Sequence, residues 1–209
     1  MSDIILPDMQ STSYIKIRSA HVYDFDEAVA ASKYPMQVYP DPLNSTLTPT
    51  ATKLAQSPAG EGHDNWLTGV LVSYDICFTA KALVEAERYN FYRIVSCNST
   101  MHRIVRFDLD TAYIRYTNKE MIEIMKRLVA EYNENPTPEK YLEILYSNPA
   151  GFIYTMRITT NYRQLKTIYK QRRTHRLPEW REFCNWIETL PHHELITGEE
   201  DPVYTPTMA

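Results

Sequence analysis

The stretch NFYRIVSCNSTMHR, residues 90–103, concentrates side chains that could bind an anion. Arg93, Ser96, Asn98 and Arg103 stand at offsets of 0, 3, 5 and 10. Guanidinium groups present planar sets of donors that suit phosphate oxygens, and serine and asparagine add neutral hydrogen-bonding groups. The pattern has the period of neither a strand nor a helix, so it predicts a loop that follows a helix C-terminus. This loop is either a ligand site or a crowded polar surface.

A second group of cationic side chains lies between residues 157 and 181, a segment with a single acidic residue. A local excess of this kind can hold phosphate groups. Arg172 and Arg173 each follow an apolar residue by one turn of a predicted helix, so one of them should point partly inward. A buried arginine needs an acceptor, which is either an acidic side chain or an anionic ligand. The sequence leaves both alternatives open.

Other kinds of site have little support in the sequence. The histidines lack a partner at helical spacing and a cysteine at ligand spacing, so no metal site is expected. Neither GxGxxG nor GxxxxGK occurs, and the chain has only five glycines, which excludes a Rossmann or P-loop site. Cys97 has no general base associated with it in the sequence, so it is not predicted to be a nucleophile.

The overall composition is that of an ordinary globular protein, with 209 residues, 44% apolar and 23% charged. We expect one domain over residues 1–209. The net charge of −4 argues against a general nucleic-acid binder. Three widely spaced cysteines, an N-terminus unlike a signal peptide and the lack of a long apolar run predict a cytoplasmic protein with no membrane partner.

The order of the predicted helices and strands that position these side chains indicates an α+β fold, with helices packed on a central, mainly antiparallel sheet. Predicted strands cover 13–18, 68–78 and 151–160. Helices are predicted from Asp24 or Asp26, over 79–91, 118–132 and 137–147, after 160 and again from Leu177. The Pro-rich segment 35–63 is predicted to be a structureless loop outside the sheet, either mobile near the site or disordered. The tail 196–209 is expected to be flexible.

The stretch 90–103 resembles the signature RHRxxSxNExSxRY of the flavin-dependent thymidylate synthases. Arg93 falls on the third signature residue, Ser96 on the first serine, Asn98 on the asparagine and Arg103 on the last arginine. Phage-encoded relatives have similar loops, so the resemblance is to a divergent, phage-type member of that family.

A later segment resembles the same family. Pro149 precedes the predicted strand, and Asn161, Arg163, Leu165 and Arg172 follow it at the family's spacing. The two segments occur in the family's order, which strengthens the resemblance.

The resemblance covers about residues 63–185 and includes departures. Phe91, Tyr92, Ser99, Met101 and Ile104 stand where the signature has Arg, His, Glu, the second Ser and Tyr. The fold can therefore be kept while the reaction is lost or changed.

The resemblance implies a reductive methylation of dUMP at C5 to give dTMP. It implies FAD as cofactor, NADPH and methylenetetrahydrofolate as co-substrates, and a homotetramer whose sites are shared between subunits. Arg172 would be the catalytic residue, polarising the pyrimidine ring at a carbonyl oxygen. The implied substrate-binding residues are Arg88, Ser99, Thr100, Met101, Arg103 and Arg172. The implied cofactor-binding residues are His63, Arg93, Ser96, Asn98, Asn161 and Arg163.

Two alternatives remain open beside this reading. The chain could be a non-catalytic flavin- or nucleotide-binding protein on the same fold, which the departures favour. It could also be a related pyrimidine one-carbon transferase that acts on dCMP or transfers a hydroxymethyl group.

Overall fold

The computed structural model describes residues 3–9, 14–58 and 60–198. Five strands in chain order are β1 (Ile4–Ile5), β2 (Ile17–Tyr23), β3 (Leu71–Thr79), β4 (Arg93–Cys97) and β5 (Ile153–Asn161). The α-helices are α1 (Phe25–Ala31), α2 (Pro49–Ala55), α3 (Ala80–Ala86), α4 (Thr100–Arg103), α5 (Lys119–Glu134), α6 (Pro138–Ser147), α7 (Tyr162–Arg172), α8 (Pro178–Ile187) and α9 (Glu194–Thr197). Short 3-10 helices cover Tyr34–Met36, Asn65–Gly69 and Ile104–Arg106.

The strands form one antiparallel sheet in the order β1-β2-β3-β5-β4. β3 and β5 pair along their whole length, from Leu71 opposite Asn161 to Thr79 opposite Ile153. β4 lies at one edge, with Arg93 opposite Thr159. The predicted α+β class with a mainly antiparallel sheet is confirmed.

The strand predicted at 13–18 is wrong in its position, because the structure places β2 at Ile17–Tyr23. Alternation of buried and exposed side chains breaks at Arg18 and Ser19, which are both exposed, and the pairing with β3 shifts there. Ser19 has a φ of 49°, in the left-handed region that an irregularity of this kind requires. The regular alternation of apolar residues therefore covers the residues before Arg18 and stops close to the first residue of β2. Ser13 lies outside the described residues.

The segment 35–63 contains no strand in the part that the structure describes, as predicted, but it is not structureless. α2 lies within it and begins at Pro49, and its N-cap Thr48 accepts a hydrogen bond from Ala51 N at 3.2 Å. Proline at the first position and threonine before it are a helix start signal. Ala51 and Ala55 are buried on one face, which explains why so short and polar a helix is ordered.

Three of the other helices begin at a residue whose side chain caps them. Asn118 caps α5, Thr137 caps α6 and Thr79 caps α3, each accepting a backbone N–H through its side-chain oxygen. α3 is shorter than the predicted 79–91, because it ends at Ala86. The predicted flexible tail 196–209 is wrong at its start, because Ile196 is buried and belongs to α9, which ends at Thr197. Residues 199–209 lie outside the described residues.

The core has two apolar clusters. One lies between the sheet and α3, α7 and α8, and includes Trp180 and Phe183. The other is formed by α5, α6 and the segment after α4, around Phe152. Tyr154 packs against both clusters. No helix in the described part of the chain is long and apolar enough to cross a membrane. One domain over residues 1–209 stays a prediction.

Candidate functional site

The first part of the signature-like stretch is a strand. Arg93 and Ser96 lie on β4, at the edge of the sheet, and the prediction of a loop over 90–103 is wrong for this part. β4 is held by β5, whose residues follow it in the chain by about sixty positions, so no local pattern indicates the pairing. Only one of its side chains, that of Ile94, is even partly buried, which removes the apolar alternation by which a strand is normally identified.

Asn98 ends the pairing of β4 with β5. Its backbone N–H donates to Thr155 O at 3.1 Å, and its side-chain Oδ1 accepts from Thr155 N at 3.0 Å. The side-chain oxygen is thus used by the fold. The two N–H groups of the amide remain available as donors to a ligand.

The second part of the stretch forms α4 and the residue before it. Arg103 N donates to Ser99 O at 3.1 Å, which closes the single turn. Thr100 Oγ1 lies 3.0 Å from Tyr154 Oη, and Tyr141 Oη donates to Met101 O at 3.1 Å. The second apolar cluster therefore fixes the backbone of α4 and leaves the side chain of Arg103 exposed.

Three arginines assigned to ligand binding have no internal partner. Arg88, Arg93 and Arg103 are exposed, and none forms a side-chain hydrogen bond or ion pair with any residue that the structure describes. β4 separates Arg88 from Arg103 in the chain. Free guanidinium groups that come before, within and after one strand suit an extended anionic ligand, such as a nucleotide or a pyrophosphate.

Asn161 and Arg163 lie at the junction of β5 and α7. Asn161 is buried, and its Oδ1 accepts from Gln164 N at 2.8 Å, so it caps α7. Arg163 donates through Nε to Asp64 Oδ1 at 3.0 Å and through Nη1 to Asn65 Oδ1 at 3.1 Å. Both side chains therefore have structural roles at the positions assigned to the cofactor.

Asp64 is a buried charge that sequence reasoning missed. It is 3% exposed, and besides Arg163 it accepts from Lys166 Nζ at 2.8 Å. Lys166 Nζ also donates to Ala55 O and Ser57 O, so this ion pair joins α7 to the end of α2. His63, which precedes Asp64, is exposed. The same loop contains a second acid, Glu61, so nothing in the sequence marked Asp64 as the buried one.

Arg172 lies in the last turn of α7 and is enclosed by α3 and α8. Its Nη1 donates to Glu85 Oε2 at 2.7 Å, and its Nε donates to Tyr89 Oη at 2.7 Å. Its guanidinium carbon lies 5.0 Å from the ring centroid of Trp180. Of the two alternatives for the inward arginine, an acidic partner within the chain is present. Arg172 is the inward member, as Arg173 is exposed.

Arg173, the outward member of the two, has an aromatic rather than an acidic neighbour. In the described part of the chain, Arg173 forms no ion pair, and its guanidinium carbon lies 5.7 Å from the ring centroid of Tyr169. Tyr169 Oη itself donates to Glu188 Oε1 at 2.6 Å. The nearby acid is thus already used by the tyrosine.

Two titratable side chains beside Arg172 are held neutral. Burial raises the pKa of Tyr89, against the lowering effect of the hydrogen bond from Arg172, and Tyr89 Oη donates to Gln171 Oε1 at 3.0 Å. Burial lowers the pKa of His175, and the charge of Arg172 lowers it further. Leu177 N donates to His175 Nδ1 at 3.2 Å, and His175 Nε2 lies 2.8 Å from Arg172 Nη1 and 3.4 Å from Glu85 Oε2.

Glu85 and Tyr89 had no sequence signal, because they reach Arg172 through tertiary packing, whereas His175 lies three positions after Arg172 and contacts it locally. No group of three or more His, Cys, Asp or Glu side chains that could hold a metal ion occurs among residues 3–9, 14–58 and 60–198. The donors present fit an anionic cofactor such as FAD, since Arg93 and the amide of Asn98 are free to donate along the β4 edge.

No protein-family model matches the sequence, and no curated protein matches it. Solved structures do match. A structure of thymidylate synthase X (ThyX) from Helicobacter pylori with FAD and dUMP is 16% identical, with a TM-score of 0.67 over 88% of this chain and 97% of that one. A second structure of the flavin-dependent thymidylate synthase ThyX from the same organism, complexed with FAD and dUMP, is 16% identical with a TM-score of 0.64, over 88% and 98% of the two chains. The chain therefore has the fold of ThyX.

Proposed function

We propose that this protein is a flavin-dependent thymidylate synthase-like enzyme that methylates dUMP at C5 to give dTMP. The observation that carries the proposal is the fold, which matches nearly the whole of a ThyX chain whose structure holds FAD and dUMP. The free arginines within and beside β4 also support the proposal. The ligands of that ThyX structure, dUMP and FAD, are a nucleotide monophosphate and a dinucleotide, and arginine binds phosphate groups of both kinds.

The phosphate of dUMP is the ligand best suited to Arg88 and Arg103. A phosphate dianion accepts charge-assisted hydrogen bonds, and neither guanidinium has a competing acid among the described residues. Ser99, Thr100 and Met101 would lie along the nucleotide, since they form the turn that carries Arg103. Fixing the phosphate in this way orients the pyrimidine ring for reaction.

FAD would be held by His63, Arg93, Ser96, Asn98, Asn161 and Arg163. The exposed members, His63, Arg93 and Ser96, would contact it directly, and Arg163 keeps Nη2 free of any described partner. When bound, the flavin supplies redox chemistry, taking reducing equivalents from NADPH, while methylenetetrahydrofolate supplies the carbon.

Arg172 would act on the pyrimidine. A guanidinium donating to a ring carbonyl stabilises the electron-rich ring that attacks through C5, and this interaction is stronger in the transition state than in the ground state. The burial of Arg172 strengthens the effect, since few waters screen it. A homotetramer whose subunits share each site would complete the ligand sets that one chain leaves partial.

A second candidate is a non-catalytic flavin- or nucleotide-binding protein on the same fold. Asn161 and Arg163 form hydrogen bonds within the chain, which favours this candidate, because these two residues assigned to the cofactor have structural roles instead. A transferase that acts on dCMP or transfers a hydroxymethyl group would use the same arginines.

The experiment is to purify the full chain, record its flavin absorbance, and assay dUMP methylation with FAD, NADPH and methylenetetrahydrofolate. We expect bound flavin and dTMP formation. Flavin binding without any product from dUMP or dCMP would support the binding protein. Failure to bind either FAD or dUMP would reject both candidates.

A further inference from the structure

The guanidinium of Arg172 is anchored on two of its three nitrogens. Nη1 donates to Glu85 and Nε donates to Tyr89, both at 2.7 Å, and Nη1 also lies 2.8 Å from His175 Nε2. Nη2 has no hydrogen-bond partner in the described ranges 3–9, 14–58 and 60–198. The flat group is thus fixed at one side and keeps the donors of a single nitrogen for another acceptor.

Aromatic rings limit how far this guanidinium can turn. Its carbon lies 5.0 Å from the ring centroid of Trp180 and 5.5 Å from that of Tyr89. The side chain of Arg172 is only 12% exposed, and that of Glu85 is 20% exposed. A cation between rings and beside a half-enclosed acid has few alternative rotamers that keep it paired.

We propose that Glu85 is a positioning residue, whose carboxylate fixes Arg172 so that Nη2 donates to a carbonyl oxygen of the pyrimidine ring. This inference rests on the proposed function and adds a residue to its site. Glu85 is the stronger anchor, because its bond to Nη1 joins two opposite charges, while the bond from Nε ends on the neutral Tyr89 hydroxyl.

The charge of Glu85 also decides which kinetic constant should respond. Paired with Glu85, Arg172 has little net attraction for the dianionic nucleotide at a distance, so it contributes little to capturing dUMP. Its directional hydrogen bond to the ring oxygen matters most as charge develops there. Loss of the anchor should therefore lower kcat and leave KM for dUMP nearly unchanged.

The kinetic test compares Glu85→Ala and Glu85→Gln with the control Glu188→Ala. Glu188 accepts from Tyr169 on the same helix α7 but does not contact Arg172. We expect kcat to fall about 30-fold in Glu85→Ala, with KM for dUMP within about threefold. Glu85→Gln should recover part of the loss, because its amide oxygen can still accept from Nη1. Glu188→Ala should keep kcat.

A second measurement tests whether Glu85 fixes Arg172, and it does not depend on enzyme activity. The Nη–H resonances of Arg172, assigned by their absence in Arg172→Lys, should be protected from solvent exchange in wild type and in Glu188→Ala. They should lose protection in Glu85→Ala, because Nη1 donates to Glu85. Circular dichroism would establish that each variant is folded.

Several outcomes would overturn the inference. One is an unchanged or increased kcat in folded Glu85→Ala, since an increase would mean that Glu85 withholds Arg172 from the substrate. Another is retained Nη–H protection in that variant. If wild type binds flavin but does not methylate dUMP, the proposed function fails. The resonance of Arg172 then still decides whether Glu85 fixes it.

Discussion

Lys166 Nζ lies 2.8 Å from Asp64 Oδ2, although 102 positions separate the two residues in the chain. Asp64 is buried and also accepts from Arg163, so its removal leaves two partly buried cations without a counter-charge. We expect Asp64→Ala to lower the free energy of unfolding by about 3 kcal/mol, as for a broken buried ion pair. Urea denaturation measures this.

Asp110→Ala is the matched control, because Asp110 pairs with Lys126 on the exposed surface. It should change stability by less than about 1 kcal/mol. Equal stability of Asp64→Ala and wild type would mean that the fold does not depend on the buried pair.

Arg103→Ala should weaken dUMP binding by about 2 kcal/mol, the effect of losing a charge-assisted contact with phosphate. Isothermal titration calorimetry measures the affinity. Arg127→Ala serves as control, since Arg127 is an exposed arginine of α5 that pairs with Glu131. The same dUMP affinity in Arg103→Ala and Arg127→Ala would make Arg103 an ordinary surface residue.

Two substitutions of Asn161 distinguish its role as a helix cap from its proposed contact with the cofactor. Asn161→Ala removes the acceptor for Gln164 N and should cost about 1 kcal/mol of stability. Asn161→Ser keeps a capping oxygen but removes the amide donors. We expect Asn161→Ser to retain stability in thermal unfolding and to bind FAD more weakly, if the amide contacts the cofactor as proposed. Unchanged FAD affinity would leave Asn161 as a cap.

Arg172→Lys keeps the positive charge but has no Nε–H, so it cannot bind Tyr89 and Glu85 in the same geometry. Turnover with dUMP should fall about a hundredfold while flavin binding persists. Arg173→Lys is the control, because Arg173 is exposed on the neighbouring position. Equal turnover in the two variants would remove Arg172 from the mechanism.

His175 should make stability depend on pH. Its pKa in the folded protein is lowered from 6.5, so the unfolded chain takes up a proton first as the solution is acidified. Stability is therefore full above about pH 6.5 and falls as the pH drops through the lowered pKa. Denaturation midpoints at several pH values should show a smaller acid loss in His175→Gln than in wild type. Parallel curves would exclude His175 as the cause.

The sequence predicted the elements whose signals are local. The caps Asn118 and Thr137, and the long β3 and β5, have such signals in their own residues. β4 was missed because its stability comes from a distant partner strand and it buries almost nothing. The start of β2 was misplaced because the irregularity at Ser19 interrupts the alternation of side chains.

The candidate site was predictable in residue type rather than in surroundings. That one of two arginines points inward follows from helical spacing, and Arg172 does so. Its acceptor Glu85 is 87 positions away, and nothing in the spacing of either helix indicates the pair. Asp64 was missed for the same reason, since its partners lie on α7.

The anchored Arg172 differs from the unpartnered Arg88, Arg93 and Arg103 in the step at which its side chain loses conformational entropy. An arginine side chain loses roughly 2 kcal/mol of rotamer freedom when it is fixed. For Arg172 that loss occurs when the chain folds, whereas under the proposed function the other three would lose theirs only when a ligand arrives. Binding of the anionic groups would therefore be opposed by side-chain ordering, while the ring carbonyl would meet a donor that is already ordered.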